Sequence, residues 1–366
     1  MQRFLVYLFV VPICFAVVAT AFAQPQEPDY ARINQAIAKT HVLPRYQALA
    51  DATANFHSMV RKMCGATTTT EAEVKAAFIT ALDAWMRIEH IRFGPIEMLM
   101  RNFRIHFWPD KGGRGQKQIR ALLAGDAQQV FGAGKFRTTS VAVQGFPAAE
   151  HLLYGPAMTQ IRDKSDGGRA CRFLSAIAAN LVEMGADVVT DWTQFMADLG
   201  SVGRDGNLYE RHKEITTEFL QSIHVSLKIL ADLKLARPAG KAISDARPKR
   251  SEAWRSKRSL GNVVANLDAV RSLYEGDGEG KQNSGLRKLI SNANLAKAAD
   301  LSRAFQQTII TAQDIGMPLC EAVESPAERP KVDRLMLQVR ALSEMVAKTL
   351  APEIGLRLGF NSLDGD

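Results

Sequence analysis

What this 366-residue chain lacks narrows its chemistry before any motif is read. It holds only 4 cysteines, and no C-x-x-C or Cys/His metal spacing joins them. None of its 7 histidines (His41, His57, His90, His106, His151, His212, His224) stands in an H-E-x-x-H box, so the common zinc-peptidase arrangement is absent. There is no G-x-S-x-G nucleophile elbow. Gly280-Lys281 runs into Gln282, so "GDGEGKQNSG" (276–285) reads as an exposed loop and not as a phosphate-binding loop. Strand-like alternation is scarce, which leaves helical periodicity as the dominant pattern.

The first 23 residues have the order of a secretory signal peptide. Arg3 supplies a basic start, "FLVYLFVVPICFAVVATAF" an apolar stretch, and Ala21-Phe22-Ala23 a small-x-small cleavage site before Gln24. The apolar run approaches the length of a membrane anchor, but the polar "QPQEPD" after it favours cleavage. Val-Pro-Ile before Cys14 does not suit a lipoprotein site. The expectation is export to the periplasm or cell envelope. The formal net charge of +8 falls to +7 once the single Arg of residues 1–23 is set aside. That mild surplus argues against nucleic acid as a partner, because such binders gather Lys and Arg into a stripe. The densest cluster, "ARPKRSEAWRSKRS" (246–259), reads as a solvated interdomain loop and helix start. Cys64, Cys171 and Cys320 remain after export, enough for one bridge and one free thiol.

Apolar residues step by three or four along Leu174, Ile177, Leu181, Met184, Val188, Trp192, Phe195 and Leu199, and Leu208, His212, Ile215, Phe219, Ile223 and Leu230 give another stripe at helical spacing. Leu260, Val263, Leu267, Val270 and Tyr274 repeat the pattern, as do Leu335, Val339, Leu342 and Val346. Thr70 and Glu73 form a capping box opening a helix that Gly94-Pro95 ends. A first helix is expected from about 28 to 63, kinked at Pro44. Long amphipathic helices joined by Gly- and Pro-containing loops predict an all-α protein of two helix bundles with a cleft between them. The boundary falls in "MADLGSVGRDGN" (196–207), giving an N-terminal bundle over 24–200 and a C-terminal bundle over 201–366.

Three stretches are unusual for bundle filler. "WMRIEHIRFGP" (85–95), with "FWPD" (107–110) after it, mixes Trp85, Glu89, Arg92 and Phe93 at a helix end and adds a rigid turn at Trp108-Pro109. "VQGFPAAEHLLYG" (143–155) sets a turn glycine and a proline before adjacent Glu150 and His151. The tail "LGFNSLDGD" (358–366) carries Asn361, Asp364 and Asp366. "VAVQGFPAAEHLLYG" resembles the signature of the imelysin family, and "AWMRIEHIRFGP", "HFWPDKGG", "RACRFLSAIAANL", "AWRSKRSLGNVVANLDAVRSLY" and "GFNSLDGD" resemble its other blocks in order. The likeness runs over essentially the whole mature chain. It implies an exported two-domain helical protein of the cell envelope, linked to iron uptake, from a family catalogued as peptidases and named for an insulin-cleaving protease.

The family signature is G-x-H-x-x-E, to which metal binding is ascribed. Here Gly145 is its glycine and Glu150 its glutamate, but Pro147 stands at the histidine position. Histidine and glutamate at i and i+3 share a helix face and can reach one ion, whereas proline has no ligand atom and suits a first helical turn. His151 lies about 100° around the helix from Glu150 and reads as a packed residue. Glu150 remains the metal-ligand candidate, iron or another divalent ion being the cofactor the resemblance implies. It is also expected to be half-buried and paired with Arg92 or Arg255. Gly145, Pro147, Glu150, Trp85, Arg92 and Trp108 are placed at the cleft from the first bundle, and Trp254, Arg255, Ser256, Ser259 and Asn262 from the second. Cys64, at the end of helix one, and Cys171, at the start of helix four, are the disulfide candidates through antiparallel packing. The favoured function is a non-catalytic envelope protein binding a small anionic or metal-linked ligand in iron uptake. A metallopeptidase of the imelysin type and a scaffold for other envelope proteins are the alternatives.

Overall fold

Tyr30, Ile33 and Ile37 recur every three or four residues, and the computed structural model folds them into the buried face of α1 (Glu27–Ile37). The structure describes residues 24–65, 69–125, 128–132, 134–277 and 284–358. The expected signal peptide (1–23), residues 278–283 of the 276–285 loop, and the tail with Asn361, Asp364 and Asp366 lie outside them. The described residues are helical with no strand among them, an all-α fold.

A π-helical turn, Ala38–Val42, joins α1 to α2 (Leu43–Cys64) immediately before Pro44. Such a turn widens the helix by a residue and re-aims its side chains, and here His41 and Val42 point inward. α3 (Glu71–Met86) starts at the capping box, with Thr70 Oγ1 accepting from Glu73 N–H at 3.3 Å and Glu73 Oε2 accepting from Thr70 N–H at 2.7 Å. It stops at Met86, well before Gly94-Pro95 where the sequence pattern placed its end. The chain turns at 87–90 and so carries the side chains of Glu89 and His90 to partners across the interior. α4 (Arg114–Ala124) and α5 (Gly145–Leu153) follow, then α6 (Arg169–Asp198). α6 is long and apolar enough to cross a membrane, but its apolar side is covered by α2 and α5. α7 (His212–Lys228) continues through a second π segment, Ile229–Ala236. Leu208, expected on its stripe, precedes the helix and is 82% exposed. α8 (Ser259–Glu275), α9 (Leu295–Gln313) and α10 (Arg329–Met345) complete the set.

α2, α3, α5 and α6 pack together, as do α7, α8, α9 and α10. α1, although it belongs to the 24–200 segment, packs in the second group. Tyr30 donates to Ile354 O at 2.8 Å, Asn34 Nδ2 to His212 O at 2.8 Å, and Thr216 Oγ1 to Asn34 Oδ1 at 2.8 Å. The apolar core is continuous across both groups; Phe93 meets Trp192 of α6 and Phe219 of α7 at centroid distances of 5.8 and 5.1 Å. Cys64 and Cys171 form a disulfide with Cα atoms 5.6 Å apart, and Cys320 is a free, buried thiol.

The π turn sets up a buried polar pin. His41 Nδ1 lies 2.6 Å from Asp277 Oδ2, its Nε2 lies 2.8 Å from His90 Nε2, and Arg45 Nη1 donates to the same Asp277 oxygen at 2.6 Å. Burial pushes His41 down to about 4 against the pull of Asp277, with Arg45 adding to the fall. Burial and the neighbouring His41 and Arg45 hold His90 well below the ordinary histidine range. Both folded-state values lie beneath the unfolded value of about 6.5, so below that pH the unfolded chain takes up protons that the folded chain refuses. Their contribution is complete above about pH 6.5 and is lost as pH falls toward 4. Calorimetric scans from pH 7 to 4 should therefore show Tm falling, with about one to two protons bound on unfolding near pH 5; a flat Tm between pH 6.5 and 5 would contradict these assignments.

Candidate functional site

The site begins at a backbone contact only glycine permits. Gly145 has φ +72°, and a Cβ there would sit 2.1 Å from Ile105 O and 2.4 Å from Arg104 O. The first turn of α5 therefore lies directly on the short helix Arg101–Ile105, which delivers His106. That helix is clamped from both ends. Arg101 donates to Pro95 O at 2.9 Å and to Asp191 Oδ2 at 2.6 Å. Arg104 donates to Gln144 Oε1 at 3.0 Å and to Asn180 Oδ1 at 2.8 Å.

His106 faces the second helix group, where Glu252 is 2% exposed. His106 Nε2 is 3.0 Å from Glu252 Oε1, and Asn262 Nδ2 donates to Glu252 Oε2 at 2.8 Å. Lys234, turned inward by the second π segment, lies 3.0 Å from Glu252 Oε1 and also donates to Glu89 Oε1 and, at 2.7 Å, to Asn266 Oδ1. Burial alone would raise the Glu252 carboxyl, but the Lys234 ammonium and His106 bring it far below the usual carboxylate range. Burial alone would lower Lys234, and Glu252 with Glu89 outweighs it, so the ammonium is held above its ordinary value.

Glu252 starts a strained loop. Ala253 (φ +46°) and Lys257 (φ +59°) are left-handed non-glycine residues on either side of Trp254, Arg255 and Ser256. This shape aims Ser256 at α5, where its N–H (2.8 Å) and its hydroxyl (2.7 Å) both donate to Glu150 Oε1. Glu150 is buried, and the burial raises its pKa against those two hydrogen bonds and the nearby Arg255 and His106. Arg255 and Lys249 flank the Trp254 ring at 4.5 and 5.8 Å.

Between these walls lies a cavity of about 130 Å³. His106, Trp108, Asp110, Pro147, Glu150 and His151 line it from the first group, and Arg237, Lys249, Arg250, Ser251, Glu252, Trp254 and Arg255 from the second. The Trp108–Pro109 peptide at its edge is cis. Burial, Arg255 and Arg120 bring His151 down to about 4, so it is neutral. Burial lowers Arg237, and the adjacent Arg250 lowers it further.

Among the described residues one group could hold a metal ion: Glu89, His106 and Glu252, with ligand atoms within 4.8 Å of one another. It does not fit one as it stands, because the Lys234 ammonium already occupies the position between the two carboxylates. Glu150, the expected metal ligand, is not in this group. Its bonded partner is Ser256, where Arg92 or Arg255 was expected. Arg92 is exposed and away from the cavity because the chain turns at 87–90, while Arg255 reaches Glu150 only through charge. Trp85, Ser259 and Asn262 are buried behind the wall: Trp85 stacks on His106 with centroids 6.5 Å apart, Ser259 Oγ donates to Glu252 O, and Asn262 holds the carboxylate. Sequence reasoning did not single out Lys234, Glu252, His106 or Asp110. The usable signals were a lone acid inside a basic cluster and a histidine beside "FWPD".

Residues 42–346 match the imelysin peptidase family. The chain is similar in structure to an imelysin-like protein from Psychrobacter arcticum, with TM-score 0.75 and 18% identity over 93% of this chain and 99% of that one. It is also similar to a "putative iron-regulated protein A precursor" from Parabacteroides distasonis, with TM-score 0.72 and 14% identity over 88% and 95% of the two chains. At these identities the likeness is one of fold. No curated protein matches the chain.

Two substitutions test the geometry. Glu150→Ala takes the acceptor from the half-buried Ser256 N–H, whose hydroxyl can still turn to Ala253 O, and should lower stability by about 1–2 kcal/mol, whereas Glu150→Gln keeps the accepting oxygen and should lose less than half of that. Equal losses in urea unfolding would refute the pairing. Ala253→Gly removes the left-handed strain and should raise stability by about 0.5–1 kcal/mol; a loss on the same measurement would show the loop to be unstrained.

Proposed function

Because the chain belongs to the imelysin family, we propose that it is an exported cell-envelope binding protein that holds a small anionic ligand between its two helix groups and serves iron uptake. The observation that carries this reading is the charge of the cavity wall. Arg237, Lys249, Arg250 and Arg255 line it together with three carboxylates, of which Glu252 is matched by Lys234, Glu150 is tied to Ser256 and Asp110 accepts from Gly115 N–H, so the cations are in surplus. Low-dielectric walls strengthen the field of such a cluster and raise the local concentration of anions. Trp108 and Trp254 supply flat apolar surface beside the charges, a usual composition for a small-molecule site.

Binding is favoured over peptide cleavage by the residues themselves. A catalytic zinc site keeps three protein ligands and one open position, and here the metal-capable group is filled by an ammonium. Pro147, at the position of the signature histidine, offers no donor. Export rests on residues 1–23, and the link to iron rests on the family and on the name of the Parabacteroides distasonis protein.

The test is titration of the purified protein with acetate, followed by tryptophan fluorescence. Saturable binding that weakens with added salt is expected. Arg255→Gln should weaken it by roughly tenfold or more, the loss of one charge-assisted contact. Unchanged binding in that variant, or none in the parent, would overturn the reading. Induction on iron starvation tests the physiological half.

A further inference from the structure

The cavity presents a second chemistry that a bare anion leaves unanswered. His106 Nδ1, Asp110 Oδ1, His151 Nδ1 and Ser251 Oγ are buried with no protein partner, and all four residues line this one cavity. Buried polar atoms are normally paired, and a cluster of unpaired ones calls for a specific explanation.

For two of them the protein partners point to a role. The Glu252 carboxylate lies between the Lys234 ammonium at 3.0 Å and the Asn262 amide at 2.8 Å, so it only accepts. The His106 Nε2 at 3.0 Å from the same carboxylate must then carry the ring proton. In the neutral ring the other nitrogen, Nδ1, is a lone-pair acceptor. Asp110 Oδ2 accepts from Gly115 N–H at 3.1 Å, leaving Oδ1 as a second open acceptor. The cavity thus offers cations on one side of its chemistry and unfilled acceptors on the other.

We propose that the ligand is a small carboxylate that also carries a hydrogen-bond donor, an α-hydroxy or α-amino acid, with its carboxylate held by the Arg255 cluster and its donor group set against His106 Nδ1 and Asp110 Oδ1, an ammonium donating to both and a hydroxyl sharing its one proton between them. This rests on the anion-binding reading above and adds the donor requirement. Size agrees: the volume of about 130 Å³ is close to the roughly 150 Å³ cavity that admits a six-carbon ring. Lys234 and Glu252 act as positioning residues, since they touch His106 or its partner and fix which ring nitrogen is open.

Calorimetric titration of the whole protein with propionate, L-lactate and L-alanine tests this directly. The three share one carbon frame and differ in having no donor, a hydroxyl or an ammonium. Lactate, alanine or both should bind at least about tenfold tighter than propionate, and the tighter of the two identifies the donor. In Asp110→Asn, which replaces the open acceptor with an amide donor, the ratio should fall toward one. The His106 Nδ1 nitrogen resonance should shift with the tighter ligand and stay in place with propionate. Equal affinities for all three overturn the inference and leave the anion reading standing, while no binding by any overturns both. A preference that is unchanged in Asp110→Asn, together with an unmoved His106 resonance, also overturns it.

Discussion

One ammonium group organises the centre of this protein. Lys234 comes from the second helix group, yet it satisfies Glu89 at the exit of α3 and Glu252 at the head of the loop beneath α8. The buried Glu252 carboxylate alone would carry a desolvation penalty of several kcal/mol, and the half-buried Glu89 a smaller one. The ammonium stands between them, and Asn262, Asn266 and His106 add hydrogen bonds, so each charge of the cluster is paired, as a buried ion group requires. The same bonds fix position: His106 is tied to Glu252, and the strained loop starts at Glu252. The cavity walls depend on where Lys234 stands.

Local rules are broken around that cluster and compensated by it. Ala253 and Lys257 adopt a conformation that opposes L-residues, and the loop they shape is held at both ends, by Ser259 Oγ on Glu252 O and by Ser256 on Glu150. Gly145 is the corresponding device across the cavity, since its missing side chain lets α5 rest on the backbone of residues 104–105. Strain of this kind persists where surrounding contacts over-determine the backbone, and such places cluster at ligand sites. The open acceptors of His106 and Asp110 lie in the same region.

Much of the fold was legible in the sequence because it is written in local periodicity. The stripes of α6, α8 and α10, the capping box of α3 and the all-α class follow from spacing and caps that act over a few residues. The centre of the site was not legible, for two physical reasons. Lys234 and His41 both stand in π segments, where the helix departs from the 3.6-residue period and residues expected on one face turn to another. The partners are also remote along the chain: Lys234 and Glu89 are 145 residues apart, and His106 and Glu252 are 146 apart. No window of sequence contains such a pair. Arg92 shows the converse error: it is part of an unusual motif, but the early end of α3 leaves it in solvent.

Pro147 and Lys234 make sense together. Pro147 lines the cavity at the place where the family signature carries histidine, and it gives that wall an apolar, donor-free surface. A metal would ordinarily supply the positive charge that two buried carboxylates and an imidazole collect around. Here the chain supplies that charge itself, on a side chain tethered through a helix, and a tethered ammonium donates hydrogen bonds without offering an open coordination position. In the binding mode proposed above, arginines receive the charge of the ligand and the acceptors of His106 and Asp110 receive its hydrogen-bond donor. The carboxylates around the cavity have their partners within the chain: Glu89 and Glu252 in Lys234, and Glu150 in Ser256.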